Sequence, residues 1–430
     1  MKKTFLIAWL VMMIILAISV VSFAEEVTLR FSWWGSQDRA DRTYKVIKLF
    51  EEKYPNVKIE PEIAPGLEYF ERLSVQAAGK NLPDVFQNVV EYSGIYIRKG
   101  VLLVLDPYVE DNRLNLTDVS ETEMFRFIDG KMYGVSMGSN SPAYFYDPEL
   151  FKKAGVEEPN PDWTWEDYIE KCKKIHEALG IYADDPYIMN STEPKGFEHY
   201  LRQHGMNLYD SSYKKLGYED DSLFVDYWTM LVDLIKDGVN TPPEVSLEVT
   251  QNALEEYLIV TQEVAMNPAS SNQLIGLVAA AGRPLSLALW PNAKDQVRYA
   301  NYTKPSMVLE VAKTSKYPEW AVKFIDFFTN DLEANKILLA ERGIPISSKI
   351  REGIKPYLDD VQNQVVDYLD LVIKRSSPFV FYYPPGYEEI TNLQKIITEK
   401  LFFGELTPEK AAKEWREKAN EILTRKYEEN

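Results

Sequence analysis

The chain is poor in the residues that build metal and redox centres. Its 430 residues include one cysteine and three histidines. A single thiol, Cys172, excludes an intramolecular disulfide framework and any C-x-x-C motif, and three imidazoles leave little for a zinc site or histidine-based catalysis. Basic side chains are also scarce, with 48 Lys and Arg against 66 Asp and Glu and a net charge of −18. Such a surface repels phosphate backbones and anionic lipid heads, which excludes nucleic acid as the main partner. The sequence shows no internal repeat and no low-complexity linker. It also lacks the G-x-x-x-x-G-K-[ST], H-E-x-x-H and EF-hand patterns, and no G-x-G-x-x-G follows a strand.

What is present begins with an address. Residues 1–24 run from Lys2 and Lys3 through an apolar stretch, Phe5 to Val21, to Ser22-Phe23-Ala24. That order of basic, apolar and small residues is a secretory signal with cleavage after Ala24. The apolar stretch also approaches the length of a spanning helix, so a retained anchor is the alternative. No cysteine follows it, which excludes a lipidated anchor, and no second stretch of this apolarity occurs. The rest is long enough for more than one core.

Strand and helix patterns then alternate. Val27–Trp33 reads as a strand. A helix over 41–54 places Tyr44, Ile47 and Phe50 on one face and stops at Pro55-Asn56. Val57–Ile63 returns to strand, Tyr69–Ala78 to helix and Pro83–Val90 to strand. This alternation predicts an α/β protein with mostly parallel sheets, whose ligands sit beyond the carboxyl ends of the strands. Trp33 and Trp34 are adjacent, so on a strand they face opposite ways, one to a core and the other to a cleft. Trp165–Leu179 reads as a helix carrying Cys172 inward as a small core residue. His199 and His204 are five apart, share no helix face and read as polar surface or cleft residues.

Two chemistries compete for the function. Gly134-Val135-Ser136-Met137-Gly138 fits G-x-S-x-G, but the nucleophile elbow needs a helix after the serine, and Pro142–Tyr146 reads as a strand. The other signal is aromatic: 13% of residues, with nine Trp and 27 Tyr. Sugar rings stack their C–H faces on such side chains and pair their hydroxyls with amides and carboxylates. For any one of these rings, filling a core is the better reading.

A set of segments in fixed order carries a resemblance. These are Trp33-Trp34-Gly35, LFEEKYPNV at 49–57, Leu82-Pro83-Asp84-Val85, DGKMYGV at 129–135, YFYDPELFKKAG at 144–155 and WTWEDY at 163–168. Glu263–Met266, KYPEWAVKFIDFF at 316–328, Gly343-Ile344-Pro345 and a helix over Ala411–Leu423 follow. Together they resemble the family 1 extracellular solute-binding proteins of bacterial ABC importers, from about Val27 to the C-terminus. The resemblance implies a two-lobe periplasmic-binding-protein fold with three interlobe crossings, near Ser139–Pro142, Thr303–Met307 and Pro345–Ser348. Residues 25–139 and 307–346 would form the N-lobe, and 140–306 and 347–430 the C-lobe. It implies an exported protein that binds a mono- or oligosaccharide, delivers it to the ABC permease, and carries no cofactor and no catalysis.

By position, the resemblance assigns ligand contacts to Trp34, Ser36 and Gln37 after the first strand, Asn88 and Glu91 after the third, and Asn140 at the first crossing. Glu193 and Lys195 resemble the loop that wraps the sugar, although relatives carry an aromatic where Lys195 stands. Asn272 lies where relatives often carry a stacking tryptophan, which leaves Trp290, Tyr383 and Tyr387 as the replacement platform. Lys195, with Arg283, Arg298 and Arg375, also admits an acidic sugar as a second choice behind a neutral one. An exported hydrolase or lyase, or a binder of a non-sugar solute, are the alternative functions.

Overall fold

The computed structural model describes residues 26–187, 190, 195–249 and 254–429. The signal segment and Glu193 lie outside them. Among the described residues no helix is long and apolar enough to cross a membrane.

Strand β1 (Val27–Trp34) pairs in parallel with β2 (Val57–Ala64) and with β3 (Val85–Asn88). Its side chains Val27, Leu29, Phe31 and Trp33 are buried while Trp34 is half-buried, so the two tryptophans do face opposite ways. The intervening helix begins at Gln37, four residues before its apolar pattern, because the Ser36 hydroxyl accepts from Arg39 N and caps it. Its inward face, Ala40, Thr43, Val46, Ile47 and Phe50, follows the three- and four-residue rhythm. Phe31, Phe50, Phe324 and Phe328 meet edge to face above this sheet.

The first sheet is ordered β2-β1-β3-β11-β4, where β4 is Gly134–Ser136 and β11 is Val308–Val311. The second is ordered β7-β8-β6-β9: β6 is Pro142–Tyr146, β7 Tyr182–Asp184, β8 Val264–Ser270 and β9 Ser286–Ala288. Both sheets are mixed. Strand β11 runs antiparallel to β3 and β4, and in the second sheet only β7 and β8 are parallel. The expectation of mostly parallel sheets holds only for the first three strands and the β7–β8 pair, since the βαβ rule governs strands joined within one sheet. Strands β4 and β6, and β9 and β11, are consecutive in sheet order along the chain but belong to different sheets.

The second sheet packs one face on a tryptophan-rich core that includes Trp163, Trp165, Trp228, Trp290 and Trp415. Cys172 sits in it fully buried, in the helix Trp165–Leu179, and burial pushes its thiol well above the usual value. The other face meets Leu274, Leu277 and the helix Asp360–Lys374.

Between the sheets three chain segments run side by side. Strand β5 (Ser139–Asn140) pairs antiparallel with β10 (Lys304–Pro305), and Ser139 also bridges Ile344. All three are tied to one stretch of the first lobe. Thr303 Oγ1 donates to Thr122 O at 2.7 Å, Ser139 Oγ to Glu123 at 2.9 Å and Ser347 Oγ to Asp118 at 2.6 Å. Glu123 and Arg351, both 4% exposed, form an ion pair at 3.1 Å, and Arg351 also donates to the carbonyls of Pro345 and Ile346.

Candidate functional site

The carboxyl ends of the three parallel strands build the first wall. Trp34 closes β1 and packs on Tyr69 and Phe70, with centroids 5.1 and 4.9 Å apart. Phe70 meets Tyr92 at 4.7 Å, so Trp34, Phe70 and Tyr92 form a row of rings that ends beside Glu91. Tyr92 is 42% exposed, an open ring face of the kind that sugars stack on.

Glu91 marks where the second wall begins. Its carboxylate accepts from Lys304 Nζ at 2.7 Å and from Tyr383 OH at 3.3 Å. Burial acts to raise its pKa, but the Lys304 charge and hydrogen bond prevail and hold it below the usual value. The Tyr383 ring meets Tyr387 at 4.5 Å. These two belong to an aromatic strap, residues 378–387, that joins the helices Asp360–Lys374 and Tyr387–Phe402. Phe379 stacks on Tyr302 at 4.2 Å, and Tyr382 touches Tyr213 at 4.4 Å and Phe127 of the first lobe at 5.7 Å. Arg202, 3% exposed, pins the strap by donating to Ser377 O, Ser377 Oγ and Pro378 O, with its guanidinium 4.9 Å from the Phe379 ring. A cavity of about 250 Å³ lies between this strap, the 207–213 loop, Arg298 and Lys304.

The structure thus brings together Glu91, Tyr383 and Tyr387, with Trp34 at the far end of the ring row. Asn140 flanks them in β5, paired with Lys304, its Oδ1 buried without a hydrogen-bond partner among the described residues. Asn272 is exposed in the turn after β8, beside Ser271, whose hydroxyl accepts from Ser141 N at 3.1 Å. Ser36 and Gln37 are exposed but already engaged, as the helix cap and in a 2.8 Å bond from Gln37 to Asp41. Lys195 opens the helix Lys195–Gln203, and its side chain lies outside the described set.

Several positions read as ligand contacts from the sequence are occupied elsewhere. Trp290, 1% exposed, is core: it packs on Tyr144 and stacks on the buried His199, both at 5.1 Å. His199 is therefore neither surface nor cleft, and burial lowers its pKa to about 3. Arg283 is held by Asp147 and by the carbonyls of Ile259 and Val260, and Arg375 by Asp162. Ser136 of the G-x-S-x-G pattern is buried, donates to Gly138 O and is followed by β5 instead of a helix. Among the described residues no group of three His, Cys, Asp or Glu could hold a metal ion.

Asn88 is also buried, its Nδ2 donating to Glu310 Oε2 at 2.8 Å. Burial raises Glu310 to about 7, against the opposing bonds from Ser93 and Asn88, and among the described residues its Oε1 has no hydrogen-bond partner. A carboxyl raised in the folded state stabilises fully below its unfolded value near 4.5 and loses that contribution as pH climbs to about 7. Glu310→Gln is therefore expected to be more stable than the parent by about 3 kcal/mol at pH 8, with the gap closing toward pH 4. Urea unfolding at both pH values checks this; a gap independent of pH would show that Glu310 does not titrate.

The fold of two α/β lobes with a cleft at their strand ends defines a class of binding protein. The chain matches the model of the bacterial extracellular solute-binding protein family over residues 35–333 and belongs to that family. It is similar to an extracellular solute-binding protein family 1 structure from Alicyclobacillus acidocaldarius, with a TM-score of 0.82 and 29% identity over 93% of this chain and 99% of that one. The arabinooligosaccharide-binding protein of Bacillus subtilis is 23% identical over 399 residues, 84% of this chain and 86% of that protein. A periplasmic oligogalacturonide binding protein from Yersinia enterocolitica shares the fold, with a TM-score of 0.80 and 21% identity over 93% of this chain and 99% of that one.

Proposed function

We propose that the protein is the exported binding component of an ABC importer, taking an oligosaccharide between its lobes and handing it unchanged to the membrane permease. The observation that carries this reading is the meeting of two sets of rings, Trp34–Phe70–Tyr92 and the strap 378–387, at Glu91, which accepts from Lys304 and Tyr383. Rings hold the apolar faces of successive sugar units, while Glu91, Lys304, Asn140 and Asn272 meet hydroxyls. Family membership and the arabinooligosaccharide-binding relative support it.

Residues 26–139 and 307–346 act as one lobe and the rest of the described chain as the other, turning about the three side-by-side segments. Closure brings the walls together and excludes water, and nothing in it requires a reaction. The test is a thermal-shift screen of the mature chain against arabino-, gluco- and galacto-oligosaccharides and their uronic counterparts. A ligand at a hundred times its dissociation constant stabilises by about 2.7 kcal/mol. Release of reducing ends from any stabilising sugar would replace this reading with that of a hydrolase, and a screen without a stabilising sugar would reject carbohydrate as the ligand.

A further inference from the structure

The cavity against the strap is lined by two guanidiniums that, among the described residues, donate only to neutral acceptors. Arg202 and Arg298 both line it. Among the described residues every hydrogen bond from the Arg202 side chain goes to a neutral acceptor: the carbonyls of Ala300, Ser377 and Pro378, and the Ser377 hydroxyl. Arg298 likewise donates from Nε to Arg202 O at 2.7 Å and from Nη2 to Met206 O and Asn207 Oδ1. Its Nη1 has no bond among the described residues. Arg283 and Arg375 each have an aspartate; among the described residues Arg202 and Arg298 form no salt bridge, in a chain of net charge −18.

Two carboxylates, Glu198 and Asp210, line the cavity with these arginines, and Lys304 is matched by Glu91. Glu91 is engaged by Lys304 and Tyr383. Asp210 accepts from the Ser212 hydroxyl and from Lys214 N. The Glu198 charge reaches both guanidiniums. Burial lowers the pKa of Arg202 to about 10, and the Arg298 charge adds to this after the opposing effect of Glu198. Two partly desolvated cations held by carbonyl oxygens are costly until an anion arrives.

We propose that this cavity receives a carboxylate-bearing sugar unit, a uronate, with Arg298 as its donor and the Arg202 charge behind it. The proposal rests on the carbohydrate reading above and narrows it. Guanidinium suits the task, since its planar fork pairs with both oxygens of a carboxylate. The aromatic strap supplies the ring face beside it, which sets the charged group of the sugar and its apolar face at right positions for one bound unit.

Calorimetric titration of the mature chain with trimers of galacturonate, glucuronate and mannuronate, with their methyl esters and with neutral trimers of the same sugars, tests it. At least one uronate trimer is expected to bind about tenfold or more tighter than its methyl ester, which keeps the shape and removes the charge. Raising NaCl from about 50 to about 300 mM should weaken the acid and leave the ester unchanged. Arg298→Gln should erase the preference for acid over ester while the unfolding temperature of the free chain stays within a few degrees. An ester that binds as well as its acid, or neutral trimers binding where uronates do not, overturns the proposal and leaves the carbohydrate reading intact. If no trimer of either kind binds, the carbohydrate reading falls and this one falls with it.

Discussion

Gly138→Ala is expected to cost about 3 kcal/mol of stability, at the upper end of what overpacking does in a well-packed interior. A Cβ at this position would sit 2.6 Å from the carbonyl carbon of Gly343, 2.7 Å from its oxygen and 2.9 Å from its Cα. All three are backbone atoms, so no side chain can swing away. Gly343 is itself constrained: it holds a φ of +100°, and its own Cβ would meet the Ser306 hydroxyl at 2.7 Å. Ser306 in turn donates to the carbonyls of Gly138 and Arg342. The three segments between the lobes thus touch through two glycines and one serine, and a single methyl group must push two of them apart. Urea unfolding of the variant measures the loss. A cost below about 0.5 kcal/mol, the range of ordinary surface changes, would mean that the contact is looser than described.

Arg351→Met is expected to destabilise by about 3–5 kcal/mol, the usual result of leaving one member of a buried ion pair alone. Glu123 would lose its cation, and the carbonyls of Pro345 and Ile346 would lose a shared donor. Asp370, 3.0 Å from Arg351 Nε, would lose a partner as well. Adding Glu123→Gln should recover more than half of the loss, because the uncompensated charge, not the missing contact, dominates the cost. The double-mutant cycle by chemical denaturation gives the coupling directly. If the double variant is as unstable as the sum of the singles, the pair is not coupled and the cost lies in packing.

The parts of this fold legible in the sequence were those written in local pattern. The strand Val27–Trp34 shows as β-branched and aromatic residues with opposed tryptophans, and the helix over 165–179 shows through its apolar spacing. The start of the helix at Gln37 was missed because a capping serine adds no hydrophobic signal. The direction of β6 and β8 was missed because they pair across more than a hundred residues. Site residues divide in the same way. Glu91 and Tyr383 stand at a strand end and in an aromatic run, which is how the sequence offers them, and the structure brings the two together. Trp290 was misread because a ring that fills a core and a ring that faces a sugar are the same residue, and only its packing partners tell them apart. Arg202, Phe70 and Tyr92 were overlooked: each sits on an amphipathic helix where it resembles surface charge or core. The signal that would have found the strap is its density, five aromatic residues between 379 and 387.

The anchoring of three linkers to residues 118–123 has a mechanical consequence. Linkers fastened at separate places would let one lobe slide, twist and tilt over the other. Under the closure proposed above, linkers fastened to a common stretch would share a pivot, and the lobes would turn about it. A side chain far from that pivot on either wall would then move through a long arc for a small local change in backbone angle. The row of rings at Trp34, Phe70 and Tyr92 and the strap across from it would ride at the ends of that lever.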